Sequence, residues 1–162
     1  MTRLDPRSRS WIAGAALAAG LFCTVVMAIP FAESAGRGWA PLGRLALKPA
    51  CHQIPERCID LGAGPLPVCA RCAGLYAGGF LGLLIPALLG RRFQPGWRWV
   101  LLATLPSVVD FGLGLAGLPD LPNWPRFAVA FVPGLLGGFL LAGAIDSTVV
   151  LNSRRTPRAG IT

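Results

Sequence analysis

Four long stretches of this chain carry almost no ionisable side chain, and that distribution of charge limits the fold more than any other feature. No Lys, Arg, Asp or Glu occurs from Trp11 to Phe31 or from Ala73 to Gly90, and the run from Trp99 to Leu151 is broken only by Asp110, Asp120, Arg126 and Asp146. A helix needs about 20 apolar residues to cross a hydrocarbon core about 30 Å thick. Each of the first two stretches suffices for one crossing, and the last for two. A soluble bundle this apolar would still show a polar face on its helices. The overall balance, 54% hydrophobic against 14% charged residues with a mean hydropathy of +0.60, points the same way. The sequence therefore predicts an all-α integral membrane protein: a four-helix transmembrane bundle in the lipid bilayer, with a long Cys/His-rich loop between its first two spans.

Proline, glycine and charge set the expected boundaries. Residues 1–10 form a basic tail, spans cover 11–29, 73–89, 97–118 and 127–151, the long loop covers 31–72, and 152–162 is a second basic tail. Pro30 is expected to end the first span and Gly90 the second, while Pro119, Pro122 and Pro125 keep the last turn non-helical. The first span is long for a signal core and no small-x-small site closes it, so it reads as retained. With both termini in the cytoplasm, that side receives nine Lys and Arg side chains against six outside, five of the six in the long loop where charge informs little. This predicts a multi-pass protein of the cell membrane with its loop facing outward. The net charge of +8 does not indicate nucleic acid, because the basic residues sit at the ends of apolar segments and not along one face. Gly74, Gly78 and Gly82, with Gly134 and Gly138, stand four apart, a spacing that lets helix backbones approach closely.

Chemistry concentrates in Cys51–Cys72, which holds four of the five cysteines and the only histidine. Cys69 and Cys72 form a CxxC at the start of the second span, where the helix dipole and free N–H groups favour thiolate. Three chemistries fit. In the first, Cys51, Cys69 and Cys72, with His52 or Cys58 as fourth ligand, hold zinc or another transition metal. Adjacent residues such as Cys51 and His52 diverge in an extended chain, which makes Cys58 a rival to His52. In the second, the CxxC is a redox pair working with Cys51 or Cys58; in the third, the four cysteines form two static disulfides. The metal reading leads.

The same loop resembles a known family. CHQIPER followed by LPVCARCAGLYAG is similar to the signature of domain of unknown function 2085, a family of small polytopic bacterial membrane proteins. The matching positions are Cys51, His52, Gln53, Pro55, Arg57, Pro67, Cys69, Arg71, Cys72, Gly74, Tyr76 and Gly78. The resemblance also implies Asp110, Asn123 and Arg126 as family positions. Where Cys58 stands the family usually carries Ser, which shifts weight to Cys51, His52, Cys69 and Cys72 as the ligand set. The family's name supplies no activity.

Asp110, deep in the third span, costs at least about 2.5 kcal/mol on insertion scales unless paired. It is expected to face a polar pocket with Arg57, Arg71, Asn123 and Arg126, or to tie the last two spans together through a buried salt bridge. Asp146, near the cytoplasmic end of the fourth span, is expected to reach water or to pair with Arg91 or Arg92, and Cys23 to act as a small hydrophobe. No catalytic residue is assigned. The alternative function is a membrane thiol–disulfide oxidoreductase, with a quinone as cofactor. A thiol or metal exchange partner fits either chemistry, and a transport role would call for a homo-oligomer.

Overall fold

In chain order the elements are strand β1 (Thr2–Arg3), helix α1 (Pro6–Ser34), short helix α2 (Ala40–Ala46), a 3-10 turn (Pro55–Arg57), strands β2 (Cys58–Asp60) and β3 (Pro65–Cys69), helix α3 (Ala70–Leu89), strand β4 (Arg91–Arg92), and helices α4 (Trp97–Leu115) and α5 (Asn123–Arg155). The computed structural model describes residues 2–117 and 121–155. The expected end of the third span at Leu118, Pro119 in the turn after it and the tail beyond Arg155 lie outside the described residues. Helices α1, α3, α4 and α5 are each long and apolar enough to cross a membrane. The chain is a four-helix membrane protein.

Two prolines do less than expected. Pro30 lies inside α1, which continues to Ser34. Losing one N–H inside a membrane helix is tolerable where neighbours and local adjustment re-satisfy the freed carbonyl. The stop falls instead at Gly36, whose left-handed φ of +68° accompanies hydrogen bonds from Gly36 N to Glu33 O and from Arg37 N to Ala32 O. Such a closure satisfies the last carbonyls of a helix. Pro125 sits in the first turn of α5, where a missing N–H has no intrahelical partner to lose.

Helix α3 is the centre of the bundle, packed most extensively on α5 and next on α1. Its glycines explain the contact with α5. A Cβ built on Gly74, Gly78 or Gly82 would run into the carbonyl oxygens of Phe127, Phe131 and Leu135, and one on Gly134 or Gly138 into those of Leu75 and Gly79. The two stripes therefore face each other backbone to backbone. Helix α4 packs chiefly on α5, and Asp110 is its only buried residue.

Residues 2–10 lie against the bundle. β1 pairs antiparallel with β4, and Arg9 donates from Nε to Ala87 O at 2.7 Å and from Nη2 to Leu88 O at 3.1 Å. A cation there satisfies carbonyls at the end of α3 and complements its dipole. Asp146 accepts from Arg92 Nη1 at 3.4 Å, as the sequence led us to expect of one of the two arginines.

Candidate metal centre

The loop that carries the cysteines is folded tightly by its polar residues. Arg44 of α2 meets Glu33 with two parallel hydrogen bonds, 2.9 Å from Nε and 2.7 Å from Nη2, and also donates from Nη2 to Pro65 O at 2.8 Å. One side chain thus holds the end of α1, α2 and β3 together. Strands β2 and β3 form an antiparallel hairpin with Cys58 opposite Cys69. Its turn is closed by Asp60 Oδ1, which accepts from Gly62 N at 2.7 Å and Gly64 N at 3.3 Å. Asn123, at the start of α5, donates to Glu56 O at 3.1 Å and Cys58 O at 3.0 Å and so fastens the hairpin to the bundle.

The hairpin leads directly into α3. That helix begins at Ala70, three residues before the expected start at Ala73, so Cys69 is its N-cap and Cys72 lies within its first turn. Cys51 follows α2 and is buried against Val26 and Val68. Its Sγ accepts a hydrogen bond from Cys69 N at 3.1 Å. The Sγ atoms of Cys51, Cys69 and Cys72 all lie within 4.8 Å of one another and could hold a metal ion.

The remaining loop donors sit outside that group. His52 is exposed; the chain turns at Gln53, whose φ is +54° and whose Nε2 donates to Arg44 O at 2.7 Å. Cys58 is buried, with its Sγ donating to Ile54 O at 3.2 Å. Burial, before any other influence, pushes the Cys58 thiol up to about 11. Cys69 goes the other way, down to about 5, chiefly because the Cys72 thiol donates to its sulfur, with the amide groups of Cys72 and Arg71 and the Cys51 thiol adding to the effect.

Beside the thiols lies an ion cluster. Asp110, 1% exposed, accepts from Arg71 Nε at 2.6 Å, from Arg126 Nε at 3.2 Å and from Leu121 N at 2.9 Å. Arg71, whose Nη2 also meets Asp110, lies over the Phe111 ring with its Cζ 5.6 Å from the centroid. Arg71, Asp110 and Arg126 therefore meet as a packed triad, while Asn123 is spent on the hairpin and Arg57 stands half-buried in the 3-10 turn. The cavity next to the thiol cluster is apolar, about 190 Å³, and is lined by Val26, Ile59, Leu66, Ala73, Tyr76 and Phe127 among others. Sequence reasoning missed the Arg44–Glu33 clamp and the Leu121 amide. The first carried no signal beyond two charges in a polar loop, and the second is backbone.

Residues 51–143, from Cys51 through most of α5, match the profile of the family described as "Predicted membrane protein (DUF2085)". The chain belongs to this family. The matched region includes the three clustered thiols, Asp110 and Arg126, and leaves α1 out. Among its relatives, an uncharacterized protein of Methanocaldococcus jannaschii is 34% identical over 87 residues, which is 52% of this chain and 56% of the relative. An uncharacterized protein of Methanothermobacter thermautotrophicus is 30% identical over 86 residues, 52% of this chain and 78% of that protein. The chain thus spans little more than half the length of the first of these. Both relatives are archaeal, so similarity to this family member is not confined to bacteria. No solved structure matches the chain.

Proposed function

We propose that this protein carries a thiolate metal site at the outer face of the cell membrane, with Cys51, Cys69 and Cys72 as ligands to zinc or a similar soft ion. The observation that carries this reading is the mutual approach of the three sulfurs within 4.8 Å. Around a tetrahedral ion with metal–sulfur bonds of about 2.3 Å, sulfurs stand about 3.8 Å apart, so small side-chain rotations suffice. Thiolate donors select zinc or copper(I) over magnesium or calcium. Charge supports the fit: a divalent ion with three thiolates leaves one negative charge, and Arg71 and Arg126 against Asp110 leave one positive charge beside it. Three protein ligands keep the fourth place for a water, a substrate atom or the exposed His52.

Metal analysis of protein purified without chelators, together with a thiol count, tests this. The expected result is about one ion per chain with three thiols protected, loss of the ion in Cys51→Ser, and its retention in His52→Ala. Protein with no ion and with Cys51, Cys69 and Cys72 all reactive ends the metal reading. The second reading is a thiol–disulfide oxidoreductase, favoured by the helix-end CxxC and the acidic Cys69 thiol. In it, Cys69 and Cys72 form a disulfide as their two electrons and two protons pass to a quinone, which leaves as the quinol. A metal-free protein with a reducible Cys69–Cys72 bridge selects that reading. Both termini are assigned to the cytoplasm, and the exchange partner, of metal or of thiols, is assigned to the opposite side.

A further inference from the structure

Cys58 is the loop thiol outside the proposed ligand set, yet strand register sets it against a ligand. Cys58 and Cys69 are Cα partners across the antiparallel β2–β3 pair, just before a bulge that shifts the register between Cys58 and Asp60. Opposed residues in such a pair have Cα atoms about 4.5–5.5 Å apart and side chains on one face. A disulfide needs a Cα separation of about 4.4–6.8 Å. Turning the Cys58 sulfur toward Cys69 gives up one hydrogen bond, that to Ile54 O. Cys51 and Cys72 are also close to Cys69, but a bound ion occupies their sulfurs and leaves Cys58 as the thiol at liberty to react.

We propose that Cys58 and Cys69 close a cross-strand disulfide when the loaded site meets a hydroperoxide, and that this withdraws Cys69 from the metal and releases the ion. The disulfide follows from register alone; the release rests on the metal reading above. Cys69 is the half-buried member of the pair and Cys58 the buried one, so Cys69 is the sulfur a peroxide reaches. Its sulfur attacks the peroxide, the O–O bond breaks, and the departing oxygen takes a proton from solvent and leaves as water or an alcohol. Cys69 is then a sulfenic acid. The Cys58 sulfur attacks it, the S–O bond breaks, and water leaves with the Cys58 proton. The two sulfurs have lost two electrons to the peroxide. Two thiolates remain, below the three or four protein ligands usual for zinc.

The test uses the full chain in lipid nanodiscs, loaded with zinc and treated with hydrogen peroxide. Zinc release is followed with a chromogenic chelator, and the bridge is located by mass spectrometry of unreduced peptides. The expected result is a 58–69 linkage formed in step with zinc release, and in Cys58→Ser an initial zinc content like that of the unsubstituted protein with release about tenfold slower. Cys58→Ala serves as the second variant, since Ser could leave a buried hydroxyl unpaired. A predominant 69–72 or 51–69 linkage, or release at the unsubstituted rate in both variants, overturns the proposal; so does loss of zinc from both variants before oxidant, which would make Cys58 a ligand. If the protein binds no zinc, the metal reading fails separately, and the peptide map alone decides whether peroxide joins Cys58 to Cys69.

Discussion

Two thiols that face each other across a hairpin differ in acidity because their surroundings differ. Cys69 caps α3 and receives the Cys72 thiol, which holds it down to about 5; Cys58 is buried on the neighbouring strand and pushed up to about 11. An ordinary cysteine lies near 8.5. A lowered pKa keeps the thiolate as pH falls, and only the thiolate reacts with iodoacetamide. In metal-free protein, labelling of Cys69 should therefore be near its plateau at neutral pH and decline as pH falls through about 5. Cys58 should remain slow until pH approaches about 11. Peptide-resolved labelling across a pH series checks both, and parallel profiles for the two residues would contradict the assignment. The clustering of Cys51 with Cys69 and Cys72 was legible in the sequence, because a CxxC and a distant thiol in one proline-rich loop leave few other uses. The places of His52 and Cys58 were not. Spacing does not reveal that the chain turns at Gln53, nor that a hairpin sets Cys58 opposite Cys69.

Among the elements, α3 and α5 depend on the absence of side chains. Gly78 meets the Phe131 carbonyl where a Cβ would lie, so Gly78→Leu must part the helices or bend one of them. Overpacking costs about 1–3 kcal/mol in well-packed interiors, and a collision with backbone belongs at the upper end. Thermal unfolding in detergent should show a clear drop for Gly78→Leu, and little change for Gly14→Leu, where a Cβ would meet open space. Helix α4 is held differently. With Asp110 as its only buried residue, it is held by the ion cluster and by one hydrogen bond to α5, from Ser107 Oγ to Val129 O at 3.0 Å, and removing one partner from a buried charge group costs about 3–5 kcal/mol. Asp110→Asn should speed hydrogen exchange along α4 while α3 and α5 keep their protection; unchanged exchange in α4 would show that apolar packing on α5 is enough. The four spans were legible because charge is excluded from them. Their ends were less so: Pro30 does not stop α1, and α3 starts early, because capping by Cys69 and closure at Gly36 depend on local geometry that composition does not encode.

For the molecule as a whole, the placement of the thiol centre relative to the cytoplasm decides what can reach it. The loop, the hairpin and the first turn of α3 stand at the same end of the bundle as the start of α5, through the Asn123 bonds to Glu56 O and Cys58 O. The opposite end gathers Arg9 against the α3 carbonyls and Arg92 against Asp146. Lys and Arg accumulate on the cytoplasmic side of short membrane loops, and the turn carrying Arg91 and Arg92 is short, whereas the cysteine loop is long and weakly informative. The orientation proposed above follows from this difference: the arginine end toward the cytoplasm and the thiol end toward the outside. His52 is exposed, so in His52→Cys a membrane-impermeant maleimide should label residue 52 in intact cells. Arg7→Cys, at the exposed start of α1, should be labelled only after the membrane is opened. The reverse pattern would put the thiols in a reducing compartment, where oxidation by an external hydroperoxide loses its setting and a cytosolic metal pool becomes the source of the ion.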